Sequence, residues 1–277
     1  MQLNLFQCEA IETGEGYQDL GWLEFAEAKR HFAQALVISP DHQGARRGLE
    51  ETEFWEKSLA EADSLPPEKA LVLLWARIIG FAFSDSAYHL ALRQSLLRRL
   101  LTILSGMDEG DIWFHPPALC RGVLHLQLNE NTEAERYLRA LLRECPANGL
   151  LRRYLGDALW RHGRQDAARS EYAAALLLAS DEVFAETIPV PGLQTVITEQ
   201  GPALAPIYGY FTGILPLVEP ETEAQTFEAR ACEYLRQAEL ARTQGHHQSM
   251  IAVRRALKEH APEILADYLE WLARGDK

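Results

Sequence analysis

Two stretches of this chain overlay without a gap at a spacing of 34 residues, one beginning at Pro116 and the other at Leu150. Gly122 falls on Gly156, Asn129 on Gly163, Ala134 on Ala168, Leu138 on Tyr172, Leu141 on Ala175 and Pro146 on Ser180. A third copy near the N-terminus carries Gly16, Phe25, Ala28, Phe32, Ala35 and Pro40 in the same frame. Self-similarity at such a period marks stacked units, none of which can bury its apolar face alone.

The spacings predict a helix hairpin in each unit. A small residue on the first helix (Gly16, Gly122, Gly156) lets a neighbouring helix come close, and a second one (Ala28, Ala134, Ala168) does the same on the other. The bulky residue four positions later (Phe32, Leu138, Tyr172) lies one turn away and fills the gap. Asn129 and Gly163 sit where a turn needs a left-handed backbone. Pro40 and Pro146 stop the second helix.

The rest of the chain reads as helix too. Residues 43–114 hold about two repeat lengths of divergent hairpins, with an acidic amphipathic helix over Glu50 to Ala62 and another opening at Pro66. Ala87 to Leu104 is apolar nearly all round, as a helix between neighbours must be. Residues 183–220, with six prolines and four glycines, predict short helices joined by turns. Phe227, Ala231, Tyr234, Leu235, Ala238 and Ala241 form a stripe of helical period, and 221–277 close the array as capping helices. No strand pattern stands out. The expectation is a single all-α domain over 1–277, an array of antiparallel helix hairpins with repeats near 9–42, 115–148 and 149–182.

The repeats resemble the tetratricopeptide repeat family, best in Leu155-Gly156, Leu159, Gly163, Ala168, Tyr172 and Ala175. The resemblance implies a right-handed α-solenoid with divergent middle and C-terminal hairpins. It also implies a concave groove, lined by the first helices of successive repeats, that takes a peptide or a partner's helix. On that frame Arg153, Asp157, Trp160 and Arg161 face the groove with Leu150 and Tyr154. Leu119, Val123, Leu126 and Gln127 sit beside them, and Thr13, Tyr17 and Leu20 belong to the first repeat. Trp160 with Arg153 and Arg161 is the expected hot spot, since Trp and Arg dominate interface energetics. Chaperone-binding members clamp a terminal carboxylate with Lys, Asn and Arg. Here Asp157 stands where the clamp wants asparagine, and Val123 does not help.

Charge narrows the partner. The 27 Lys+Arg against 40 Asp+Glu give a net charge of −13, a poor match for duplex nucleic acid or an anionic membrane. Counted along the sequence, the balance is −8 for 1–63, zero for 64–114, +2 for 115–171 and −7 for 172–277, so the best repeats are basic between acidic ends. The basic segment has too few interleaved aromatics for an RNA stacking platform. The longest apolar stretch, Ala203 to Val218, is broken by Pro206, Gly209, Gly213 and Pro216 and falls short of the ~20 residues that span a bilayer. The N-terminus lacks a secretory pattern. Cys8, Cys120, Cys145 and Cys232 form no C-x-x-C pair and read as thiols of a reducing cytoplasm.

Chemistry is scarce. No phosphate-binding glycine loop, nucleophile elbow or H-E-x-x-H occurs, and His246-His247 follows Gly245 at an exposed turn. The expectation is a cytoplasmic, non-catalytic adaptor or scaffold, without cofactor or metal. Its groove would hold an acidic or amphipathic segment, a peptide or helix, of a partner protein. An assembly or secretion chaperone fits the same sequence. The alternative class is an enzyme or small-molecule sensor, its site built from 183–220 with Tyr208, Tyr210 and Phe211.

Overall fold

The computed structural model describes residues 8–184, 188–220 and 226–275. The chain divides into two compact units, Met1–Leu128 and Asn129–Lys277, and the division falls at the turn inside the repeat at 115–148.

The first unit contains α1 (Cys8–Gly21), α2 (Phe25–Ile38), α3 (Gln43–Asp63), α4 (Pro67–Gly80), α5 (Ala87–Ser105) and α6 (Arg121–Gln127). Successive helices pack as neighbours, and α5 also returns to lie against α1. His42 caps α3 by accepting from the Ala45 N–H, and Ser86 caps α5 by accepting from the His89 N–H. The core hinges on Phe32, fully buried, whose ring lies between Gly16 of α1 and Gly48 of α3. Trp55, Phe81 and Phe83 form an aromatic knot beside it, and Leu92, Leu96, Leu97, Leu100 and Leu104 bury one face of α5. Helix α6 starts later than the repeat frame implies. Phe114–His115 (β1) and Leu119–Cys120 (β2) form a short antiparallel hairpin across Pro116 and Pro117, whose missing N–H groups suit a turn rather than a helix interior.

The second unit contains α7 (Asn131–Glu144), α8 (Gly149–Arg161), α9 (Gln165–Phe184), α10 (Leu193–Gln200), α11 (Ala205–Phe211), α12 (Phe227–Thr243), α13 (His247–His260) and α14 (Pro262–Gly275). Tyr172 is the counterpart of Phe32 here, buried against Gly156. Helices α10 and α11 are the short helices expected of the proline-rich stretch. A separate core joins Ile207 to Ala231, Leu235, Leu257, Ile264 and Tyr268.

One backbone detail repeats at four turns. Leu23, Asn129, Gly163 and Gly245 all adopt positive φ, at 65°, 60°, 79° and 71°. After Leu23, Gly163 and Gly245 the following N–H reaches back five residues to cap the helix: Glu24 to Asp19, Arg164 to Leu159 and His246 to Ala241, at 2.9, 2.9 and 2.8 Å. Leu23, Asn129 and Gly163 occupy the same position of the repeat frame, so the repeats agree in backbone where their side chains differ. Hairpin α12–α13, whose sequence lacks the repeat's alanines, turns in the same way.

Candidate functional site

The residues expected to line a groove are mostly interior. Leu119, Val123 and Leu126 are buried, Leu119 within the core of the first unit. Gln127 is half-buried and accepts a hydrogen bond from Arg93 at 3.3 Å. Tyr17 is covered by α5: its ring stacks on Tyr88 (centroids 5.8 Å apart, 22° between planes) and meets Phe32 edge-on, and its hydroxyl donates to the Gly44 carbonyl. Burial, and then the charge of Glu51, push the Tyr17 hydroxyl up to about 12, so it stays a donor. Thr13 and Leu20 are buried on the same helix.

In the second unit α8 carries the other expected positions. Arg153 is only 3% exposed and Asp157 is buried one turn away, 3.7 Å from it. The Tyr172 hydroxyl donates to Asp157 Oδ1 at 2.7 Å; burial, reinforced by that carboxylate, holds the phenol well above its ordinary range. Arg153, Asp157 and Tyr172 therefore form an interior polar cluster. Trp160 is half-buried, and Arg161 is exposed at the end of α8, donating to Asn129 Oδ1 at 3.3 Å.

A cluster of arginines lies elsewhere in these repeats, Arg139 and Arg143 exposed and Arg152 buried. A surface cavity of about 500 Å³ is lined by Arg139 and Arg143 of α7, Pro146 of the turn, Arg152 and Leu155 of α8, and Glu171 of α9. Arg139 also pairs with Glu135 at 2.9 Å, and Arg152 with Glu171 at 2.9 Å. Arg143 is exposed in the last turn of α7. Three guanidiniums against one lining carboxylate make a wall suited to carboxylate or phosphate. The sequence signal was the four-residue spacing of Arg139 and Arg143, which puts both on one helix face, with Arg152 following a short turn.

The first unit has a cavity of about 460 Å³ bounded by Tyr17, His42, Arg47, Ser84, Tyr88 and His89. At its inner end buried His89 pairs through Nε2 with Glu51 Oε2 at 2.9 Å, and Arg47 holds Glu51 from outside at 2.7 Å. Ser84 Oγ lies 2.9 Å from His89 Nδ1, an order of serine, imidazole and carboxylate that a nucleophilic serine needs. The Ser84 backbone N–H, however, donates to that same Nδ1 at 2.8 Å. It fills the nitrogen's lone pair and sets the ring as the Nε2–H tautomer, so this imidazole cannot take the hydroxyl proton. The arrangement clamps the α4–α5 connection.

Among the described residues, the donor atoms that converge enough to hold a metal ion belong to Glu12, Glu15 and His31. His31 Nδ1 is 2.7 Å from Glu12 and 3.2 Å from Glu15, and Arg30 lies 2.8 Å from Nε2, so the ring is already engaged on both sides. His246 and His247 are exposed at their turn. The four cysteines are free; burial pushes the Cys120 thiol up to about 11 and the Cys232 thiol up to about 12, which makes both poor nucleophiles. Among the described residues no helix is long and apolar enough to cross a membrane.

The chain matches no family model, no curated protein and no solved structure.

Proposed function

We propose that this chain is a non-catalytic interaction protein, built on hairpins of tetratricopeptide type, that binds an acidic segment of a partner protein. The observation that carries the reading is the arginine-lined cavity of α7, α8 and α9. It is open to solvent and basic, and it lies in the segment whose balance is +2 between acidic flanks of −8 and −7. Bidentate guanidinium contacts would recognise aspartate or glutamate side chains, and Leu142, Pro146 and Leu155 offer apolar contact beside them. The inertness of the Ser84–His89 pair and of the two buried thiols favours binding over catalysis.

The test is capture of partners from a lysate on the wild-type chain and on an Arg139→Glu, Arg143→Glu variant of equal helicity, followed by anisotropy titrations with acidic peptides from whatever is retained. Peptide affinity should fall at least about tenfold in the variant and should weaken with salt, as exposed charge pairs do. A partner bound equally by both proteins would end the assignment of this cavity.

A further inference from the structure

The second unit contains another cavity, of about 350 Å³, whose chemistry is opposite in sign. Tyr208 and Phe211 of α11 and Trp271 of α14 line it together with Asp267, Glu270 and Arg274. Tyr208 stands at right angles to Phe211 (centroids 5.7 Å, 89°), and Trp271 continues the Phe211 wall (6.0 Å, 32°). The three rings thus form a corner of two aromatic walls. All three are half-buried, so each keeps part of its surface outside the hydrophobic core against which it packs.

Asp267 is fixed at this corner: the Tyr208 hydroxyl donates to its Oδ2 at 2.7 Å, leaving the other oxygen for a further contact. Glu270, one turn on, is exposed and pairs with Arg274, whose side chain is 75% exposed. Two carboxylates against one exposed guanidinium leave the corner negative, and Glu263 adds to the negative charge felt at Tyr208. Aromatic faces attract a cation through their quadrupole, and they do so best for organic cations whose charge is spread over methyl groups and weakly hydrated. A volume near the low end of ligand pockets suits a head group of that size.

We propose that this corner is a binding site for a small quaternary or methylated ammonium compound, its cationic head against Tyr208, Phe211 and Trp271 and its charge balanced by Asp267. The site is independent of the arginine-lined cavity and of the partner-binding reading, and either can fail without the other.

The experiment uses the full chain and choline as probe, with 3,3-dimethyl-1-butanol as the neutral molecule of the same shape, each titrated by ligand-observed NMR. Asp267→Asn keeps an oxygen to accept from Tyr208 while removing the charge, and Trp271→Leu removes one wall; both are checked by circular dichroism. Choline should saturate the wild type and bind at least about tenfold more tightly than the alcohol. Asp267→Asn should lose most of that preference while leaving the weak affinity for the alcohol in place. Trp271→Leu, if folded, should weaken choline; if it does not fold, Asp267→Asn decides alone. The proposal is overturned if choline fails to saturate the wild type, if the two ligands bind within about threefold of each other, or if folded Asp267→Asn retains the wild-type preference.

Discussion

Phe32 and Gly16 touch so closely that a methyl group added to the glycine would stand 2.8 Å from ring carbon Cε1. Gly48 meets the same ring from α3, where the corresponding distance is 2.3 Å. Alanine on a helix normally gains up to ~1 kcal/mol over glycine. Here the ring, fully buried, has nowhere to go, so Gly16→Ala should destabilise the chain by about 1–3 kcal/mol and Gly48→Ala by more. Urea melts measure both. Adding Phe32→Leu should recover part of the loss, a coupling that independent sites would not show.

Gly163 and Gly245 differ from these glycines, because nothing lies within 4 Å of the Cβ each would gain. What they supply is a left-handed backbone, at φ 79° and 71°. Gly163→Ala and Gly245→Ala should each cost about 1 kcal/mol with unchanged far-ultraviolet dichroism. A gain in thermal stability in either variant would show that the turn does not need its glycine.

Glu239 of α12 draws α11 and α14 together. It accepts from Tyr210 at 2.9 Å, from the Tyr268 hydroxyl, and from Arg242 through two bonds of 2.9 and 2.8 Å. Burial alone would raise its carboxyl, but the bonds from Arg242, Tyr268 and Tyr210 outweigh it and hold the group below the usual glutamate range. A carboxyl with a depressed native pKa stabilises fully above its unfolded value of about 4.3 and loses that contribution as pH falls through the native one. Glu239→Gln should therefore cost about 1–3 kcal/mol at neutral pH, and the gap from wild type should close as pH falls below about 4. A gap that is constant with pH would mean that the charge of Glu239 is not what stabilises this core.

Tyr172 and Asp157 make the corresponding bond in the repeat at 149–182. Removing the hydroxyl leaves a buried carboxylate short of a donor, so Tyr172→Phe should cost about 1–3 kcal/mol despite keeping the ring that fills the gap at Gly156. Thermal melts of Tyr172→Phe and Tyr172→Phe with Asp157→Asn separate the two contributions. Equal stability of wild type and Tyr172→Phe would remove the bond from the account.

Arg153 and Arg143 should respond to the same substitution in opposite ways. Arg153→Glu places a second negative charge beside Asp157 in the interior and should cost 3 kcal/mol or more, on the order of breaking a buried pair. Arg143→Glu, at an exposed position, should stay within about 0.5 kcal/mol. Denaturant midpoints decide this, and they matter for function: a binding defect in Arg153→Glu would report folding, whereas one in Arg143→Glu would report the surface.

The all-helical architecture and the turn positions of Asn129 and Gly163 were legible in the sequence, because both follow from local rules. A helix buries what recurs at 3.6 residues, and a left-handed turn selects Gly or Asn. The pairing of a small residue with a bulky one across each hairpin was equally plain at Gly16 and Phe32 and at Gly156 and Tyr172. Leu23 was not legible as a turn, since leucine carries no preference for positive φ and is held there by its neighbours. Nor was the return of α5 onto α1, which covers Tyr17 and depends on contacts some seventy residues apart, such as the hydrogen bond from Ser95 to the Gly21 carbonyl. Adjacent arginines point about 100° apart on a helix, and periodicity alone could not say which would meet solvent. Both are buried: Arg152 meets Glu171 at the wall of the basic cavity, and Arg153 meets Asp157. Local pattern determined the helices and the turns at Asn129 and Gly163; which charged and aromatic side chains face water was decided by helices distant in sequence, because burial is a property of the neighbours and not of the residue.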